Sequence, residues 1–331
     1  VAAQIWDYGV SPTTLEAPTF EDPYADKIFD LQASLVVGQE GVAPGEFFRP
    51  RDIALAPDGT VYVVDTANHR IQHLSPEGDI LDVWGTYANR LEEQAPGGTF
   101  NEPWGIDVAP DGTVYVADTW NHRVQWFTPD GEFLGMFGQE GYGDVATSFW
   151  GPRDVAVDDE DRVYVSDTGN KLIKVFDREG NYLAQFGGAG YQTGFLDEPV
   201  GLAISNEGIV YVVDTWNQRI QGFLPIEESG TFAPAAEWPV DGWFGQSLEN
   251  KPYVDSGGEG VVCTTDPEAF RVLCFRDDGE FLGGWGGIFG SGPNQFDILS
   301  GVAVADDGTV WVVDSGNHRV MRFEPPFLQS P

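Results

Sequence analysis

The chain has 331 residues, with 53 acidic against 17 basic and a formal net charge of −36. Such a surface repels phosphate backbones and anionic membranes over a Debye length of about 8 Å at physiological salt, so no nucleic-acid partner is expected and the acidity reads as solubility or salt adaptation. Apolar content is ordinary at 41%, but 42 Gly, 11 Trp and only 2 Met point to an all-β repeat protein. No stretch reaches the roughly 20 apolar residues of a membrane helix, so direct membrane insertion is not expected.

In chain order, residues 1–30 carry Pro12, Pro18 and Pro23 among acidic and small residues. They read as an arm or linker, and a first residue other than Met suggests a processed chain. Residues 31–38 have the pattern of one outer strand. The segment at 61–72, VYVVDTANHRIQ, then recurs as VYVADTWNHRVQ at 114–125, VYVSDTGNKLIK at 163–174, VYVVDTWNQRIQ at 210–221 and VWVVDSGNHRVM at 310–321. A degenerate copy, VVCTTDPEAFRVLC, occupies 261–274. The marker aspartates Asp65, Asp118, Asp167, Asp214, Asp266 and Asp314 define six units of about fifty residues.

The first unit predicts four strands, at 50–55, 61–64, 70–74 and 80–84. Asp58-Gly59 and Glu77-Gly78 punctuate two of the corners, and β-branched residues fill the strands, as hairpins require. The sixth unit stops after its third strand at Pro325-Pro326, so residues 31–38 are expected to supply its fourth and tie the chain ends together.

The repeat resembles the NHL family over residues 38–325. The resemblance rests on the Asp-x-x-Asn-x-Arg turn, on linkers such as Gly38-Gln39-Glu40-Gly41 with Gly45-Glu46-Phe47, and on inner strands that start Pro-x-(Asp/Gly)-hydrophobic-Ala. It implies an all-β fold: a six-bladed β-propeller of four-stranded blades, with one domain over 31–325 and a tail at 326–331. Because the polar turn recurs in nearly every unit, it reads as architecture.

Two sets of residues depart from the repeat and are candidate sites. Arg51, Asp52, Trp104, Arg153, Asp154 and Tyr253 are expected at the mouth of the central channel, with Tyr253 aligned to Arg51. The Arg side chains there would either contact a carboxylate, phosphate or sugar, or pair with surrounding acids. Trp120 and Trp216 stand where other turns have Ala67, Gly169 and Gly316. With Tyr87, Tyr142 and Tyr191 of the linkers they would form an aromatic platform, while Trp150 is expected to pack a linker down.

His69, His122 and His318 share one turn position, with His73 in the following strand, and read as repeat architecture at the blade periphery rather than a zinc site. In the broader fold group, peptide-amidating lyases hold zinc with His around the central cavity. The inner positions here, Arg51, Trp104, Arg153, Val200, Tyr253 and Ser300, carry none. Cys263 and Cys274 are expected as diagonal neighbours across a hairpin, a placement that leaves open both a disulfide and two buried thiols. Phosphate loops, nucleophile elbows and Rossmann glycine patterns are absent from the sequence.

The expected function is that of a monomeric, non-catalytic propeller binding a protein or glycan on the face that bears the inter-blade linkers. It would belong to a larger exported or membrane-anchored protein, extracellular or at the cell surface. The alternative is a metal-dependent lyase or hydrolase with its site at the central channel, where calcium or another divalent ion would be the cofactor.

Overall fold

The computed structural model describes residues 21–92, 94–143, 146–226, 230–243 and 251–329, the Glu259 side chain excepted. Each repeat pairs its strands antiparallel in the order A, B, C, D. Blade one consists of Ile53–Leu55, Val61–Asp65, Arg70–Leu74 and Ile80–Trp84. Blades two to five repeat the pattern from Ile106–Val108, Pro152–Val157, Pro199–Ile204 and Val254–Gly257 as their A strands. Blade six has Leu299–Val304, Val310–Asp314 and Arg319–Phe323, and takes Leu35–Val37 from the other end of the chain. That closing strand is antiparallel, with Leu35 opposite Arg322 and Val37 opposite Val320. The six A strands touch one another in a closed cycle, which sets the sheets around one axis as a propeller.

The B strands are apolar on both faces because each sheet is sandwiched between two others. Val61–Asp65 is buried throughout, as are its counterparts Val114–Asp118 and Val163–Asp167. The core is therefore divided into six clusters, one per blade interface. Between blades one and two, for example, Tyr62, Val64 and Ile71 meet Phe100, Val116 and Phe127. A single blade could not bury either face alone.

The recurring turn ties each blade to its linker. Asp65 accepts from the Phe48 amide, from Asn68, from Arg70 Nε at 2.7 Å and from Gln72. Arg70 then donates to the linker carbonyls of Val42, Ala43 and Glu46. Blade three has Leu172 at the Arg position, and Lys174, two residues on, pairs with Asp167 at 2.8 Å instead. One basic residue per blade is used in this way: Arg70, Arg123, Lys174, Arg219, Arg271 and Arg319. The turn closes on a left-handed residue, such as His69 at φ 56°, a conformation His tolerates better than β-branched residues do.

Three expectations need correction. Strand A of blade one starts at Ile53 rather than at residue 50: Arg51 and Asp52 still exchange backbone hydrogen bonds with Val64, but the chain is kinked there. The kink recurs as a register shift in blades three, four and six. Cys263 and Cys274 are not diagonal. They are directly opposed across strands B and C of blade five, with Cα atoms 4.0 Å apart, and form a disulfide. In blade one Tyr62 and His73 stack at that same cross-strand position. The recurring His residues do not lie at the periphery but bridge neighbouring blades, as described below.

The described part of the N-terminal arm lies against blade five. Ile28 and Phe29 run parallel to Gly284 and Trp285, and Tyr24 packs on Phe275 and Phe281. Asp22 pairs with Arg271 of the degenerate turn.

Candidate functional site

The kink at the start of each A strand turns the next side chain toward the axis. Around the ring these residues are Asp52, Gly105, Asp154, Gly201, Tyr253 and Gly301, so bulky side chains alternate with glycine. A Cβ on Gly105 would fall 2.4 Å from Asp154 Oδ1, and one on Gly301 would fall 2.6 Å from Asp52 Oδ1. Glycine in the even blades is what lets the odd blades meet at the centre. Tyr253 thus corresponds to Asp52, not to Arg51: the Thr265 amide donates to the Tyr253 carbonyl just as Val64 donates to that of Asp52. Alignment on Pro252 shifts the degenerate unit by one residue.

The inner edge of every A strand carries backbone N–H groups with no further strand to pair them. Aspartates of the preceding blade take this role. Asp52 accepts from Ile106, Asp107 from Val157, Asp154 from Leu202 and Asp255 from Val304, at 2.7–2.9 Å. Asp52 and Asp154 also hydrogen-bond each other across Gly105, which requires a proton between them, and burial pushes both carboxyls well above the usual range. Burial likewise raises Asp107 to about 6 and Asp255 to about 7. These four acids line a funnel of about 640 Å³ that opens on the face of the A–B turns, and Asp52 and Asp154 lie at its floor.

The other end of the axis is cationic. Arg51 and Arg153 lie 3.7 and 4.6 Å from the centre of the Trp104 ring. Arg153 pairs with Glu198 at 2.8 Å, and Lys251 reaches the same carboxylate at 3.2 Å. Burial lowers the Lys251 ammonium, Glu198 opposes that, and the nearby Arg153 and Arg51 add to it. The structure therefore brings Arg51, Trp104 and Arg153 together on the linker side, and places Asp52, Asp154 and Tyr253 beneath them. Sequence reasoning missed Lys251, Glu198, Asp107 and Asp255. For the last two a signal existed: they replace the small residue found as Ala54, Ala156, Ala203 and Ala303 in the other A strands.

Farther from the axis, the linker face exposes Tyr191, Tyr142, Trp216 and Tyr87, at 76, 66, 62 and 49% of their surface. Trp120 is half-buried, and its indole N–H donates to Glu102 at 2.9 Å. Trp150 stacks on Tyr142 and His122. Nδ1 of His69, His122 and His318 accepts the amide of Glu102, Gly151 and Arg49, so each imidazole reaches the next blade's linker. Among the described residues, no group of three His, Cys, Asp or Glu is placed to hold a metal.

The NHL repeat family model matches residues 47–74, 100–127, 149–176, 196–223 and 296–323. Peptidyl-glycine alpha-amidating monooxygenase of Mus musculus is 29% identical over 102 residues, 29% of this chain and 10% of the relative. Peptidyl-glycine alpha-amidating monooxygenase A of Xenopus laevis is 24% identical over 290 residues, 84% of this chain and 25% of the relative. The chain thus spans a quarter or less of the length of these relatives. Among solved structures, a gluconolactonase of Xanthomonas campestris aligns with a TM-score of 0.60 over 92% of this chain and 99% of its own, at 14% identity. At that identity the likeness speaks for the fold alone.

Proposed function

Because this chain is a six-bladed β-propeller of NHL repeats, we propose that it is a docking module holding a partner protein on the face of its inter-blade linkers. The observation that carries this reading is the ring of exposed apolar side chains there: Val42, Tyr87, Tyr142, Tyr191 and Phe289 from five linkers, with Trp216 from a turn. Apolar side chains that protrude singly from five linkers, four of them aromatic, suit the anchors of a protein interface. The net charge of −36 favours a basic partner and speeds its approach. A glycan that stacks on the same rings is the other ligand of this class. The Cys263–Cys274 bridge supports an oxidising, extracellular or cell-surface setting.

The rival reading is a metal-dependent lyase or hydrolase at the channel. The described channel residues include no His, and the funnel carboxylates already cap backbone amides, so this residue set does not fit a His-held metal. The test is affinity capture with the full chain, with its Trp216→Ala/Tyr191→Ala/Tyr142→Ala variant and with a variant of Asp306 and Asp307 on the opposite face. Partners retained by the second variant and lost by the first support the reading. Partners that bind the triple variant as they bind the parent would refute it.

A further inference from the structure

We propose that the axial mouth on the linker face is an oxyanion site, taking the carboxylate of a small organic ligand beside Arg153, Lys251 and Trp104. The site stands whether or not the outer aromatic ring docks a partner.

The first ground is the placement of charge. In a chain with only 17 basic residues, six serve the blade turns, yet Arg51, Arg153 and Lys251 converge at one end of the axis. Arg153 and Lys251 are 6% and 1% exposed, and both pair with the single carboxylate of Glu198. Two buried cations thus share one carboxylate, where burial makes each charge costly.

The second ground is independent of charge. The Arg153 Nε–H and the Trp104 indole N–H are both buried with no acceptor, on side chains that lie against each other. Buried donors are nearly always satisfied, and Arg153 is the one arginine among the described residues with a buried N–H left without an acceptor, which marks the place of an absent one. A guanidinium lying on an indole keeps its N–H edges for a planar, two-oxygen partner, which describes a carboxylate. Beside the mouth the Trp216 ring lies 5.9 Å from Lys251 Nζ and is largely exposed, which adds an apolar shoulder. The ligand class is accordingly a carboxylate carried on an apolar or aromatic body.

The test uses the full chain with phenylacetate, inorganic phosphate and the neutral phenylacetamide as probes. Calorimetry should give one phenylacetate per chain and no heat from phenylacetamide. The Trp104 indole N–H resonance, assigned in the unaltered protein by its through-space contacts, should move on adding phenylacetate, a readout that needs no variant. Lys251→Met should weaken binding about tenfold, the loss of one charge-assisted hydrogen bond. An indole resonance unmoved by either anion at millimolar concentration overturns the site. Equal binding of the amide, or phosphate bound more tightly than phenylacetate, overturns the carboxylate assignment.

Discussion

Lys174→Gln in blade three isolates what the cation of the repeated turn contributes. Lys174 Nζ lies 2.8 Å from Asp167, and both side chains are fully buried. Gln occupies the matching position in blades one, two and four, where it hydrogen-bonds the same aspartate, so the substitution fits sterically and removes the charge alone. An uncompensated buried carboxylate costs about 3–5 kcal/mol, and the hydrogen bonds a Gln can keep place this variant near 3. For a domain of this size that is a fall in melting temperature of about 5 °C. Adding Leu172→Arg restores the arrangement of the other blades and should recover most of the loss. Denaturant unfolding of the parent, the single variant and the double variant measures both steps. A single variant within about 1 kcal/mol of the parent would refute the reasoning, since surface changes alone stay in that range. So would a double variant no more stable than the single one.

The channel acids predict that stability rises on mild acidification. Asp107 and Asp255, raised by burial to about 6 and about 7 from 3.8, hold protons in the folded chain that the unfolded chain has released. Their contribution is complete below pH 3.8 and is lost as pH rises through 6 and 7, with the Asp52–Asp154 pair extending the same slope upward. Calorimetry should find a lower melting temperature at pH 8 than at pH 6, and Asp255→Asn should flatten the difference; a profile rising toward pH 8 would contradict it. His69 and His122, lowered by burial, set the opposite slope on the acid side of their ordinary range. Replacing both Cys263 and Cys274 by Ala opens a short loop, with a separation of 11 residues, and should cost about 3 kcal/mol in chemical unfolding. Beginning the chain at Gly38 removes the closing strand, and amides of Arg319–Phe323 should then lose hydrogen-exchange protection before those of blades two to four.

Much of the fold is legible because the repeat writes it six times, five times in full and once, at 261–274, in degenerate form. The Asp-x-x-Asn-x-Arg turn, the Asp-Gly corners and the missing fourth strand before Pro325 each depend on local chemistry, so spacing alone locates them. The same repetition identifies Trp216 as an exception with no role in the turn, and the structure leaves its ring largely exposed. Trp120 obeys the same sequence argument yet its indole N–H donates to Glu102, whereas the matching carboxylate beside Trp216, Glu198, is taken by Arg153 and Lys251. Residue type sets what a side chain can bond, but its neighbour from another blade decides whether it does.

The alternation Asp52, Gly105, Asp154, Gly201, Tyr253, Gly301 is present in the sequence, with about fifty residues between successive members. Its meaning is not, because only closure of the ring brings Asp52 and Asp154 together across a glycine and raises them into sharing a proton. Lys251 shows the same limit. Read along the chain it is one lysine before a proline; beside Glu198 and Arg153 it becomes part of a buried cationic mouth. Strand period, turn chemistry and the repeat are short-range properties, and for these the chain needed only its own order of residues. Registers between blades, the opposed pair Cys263 and Cys274 and the polarity of the axis come from contacts between residues up to hundreds of positions apart. Those contacts exist only once six sheets have packed face to face, where burial and mutual approach set the charges.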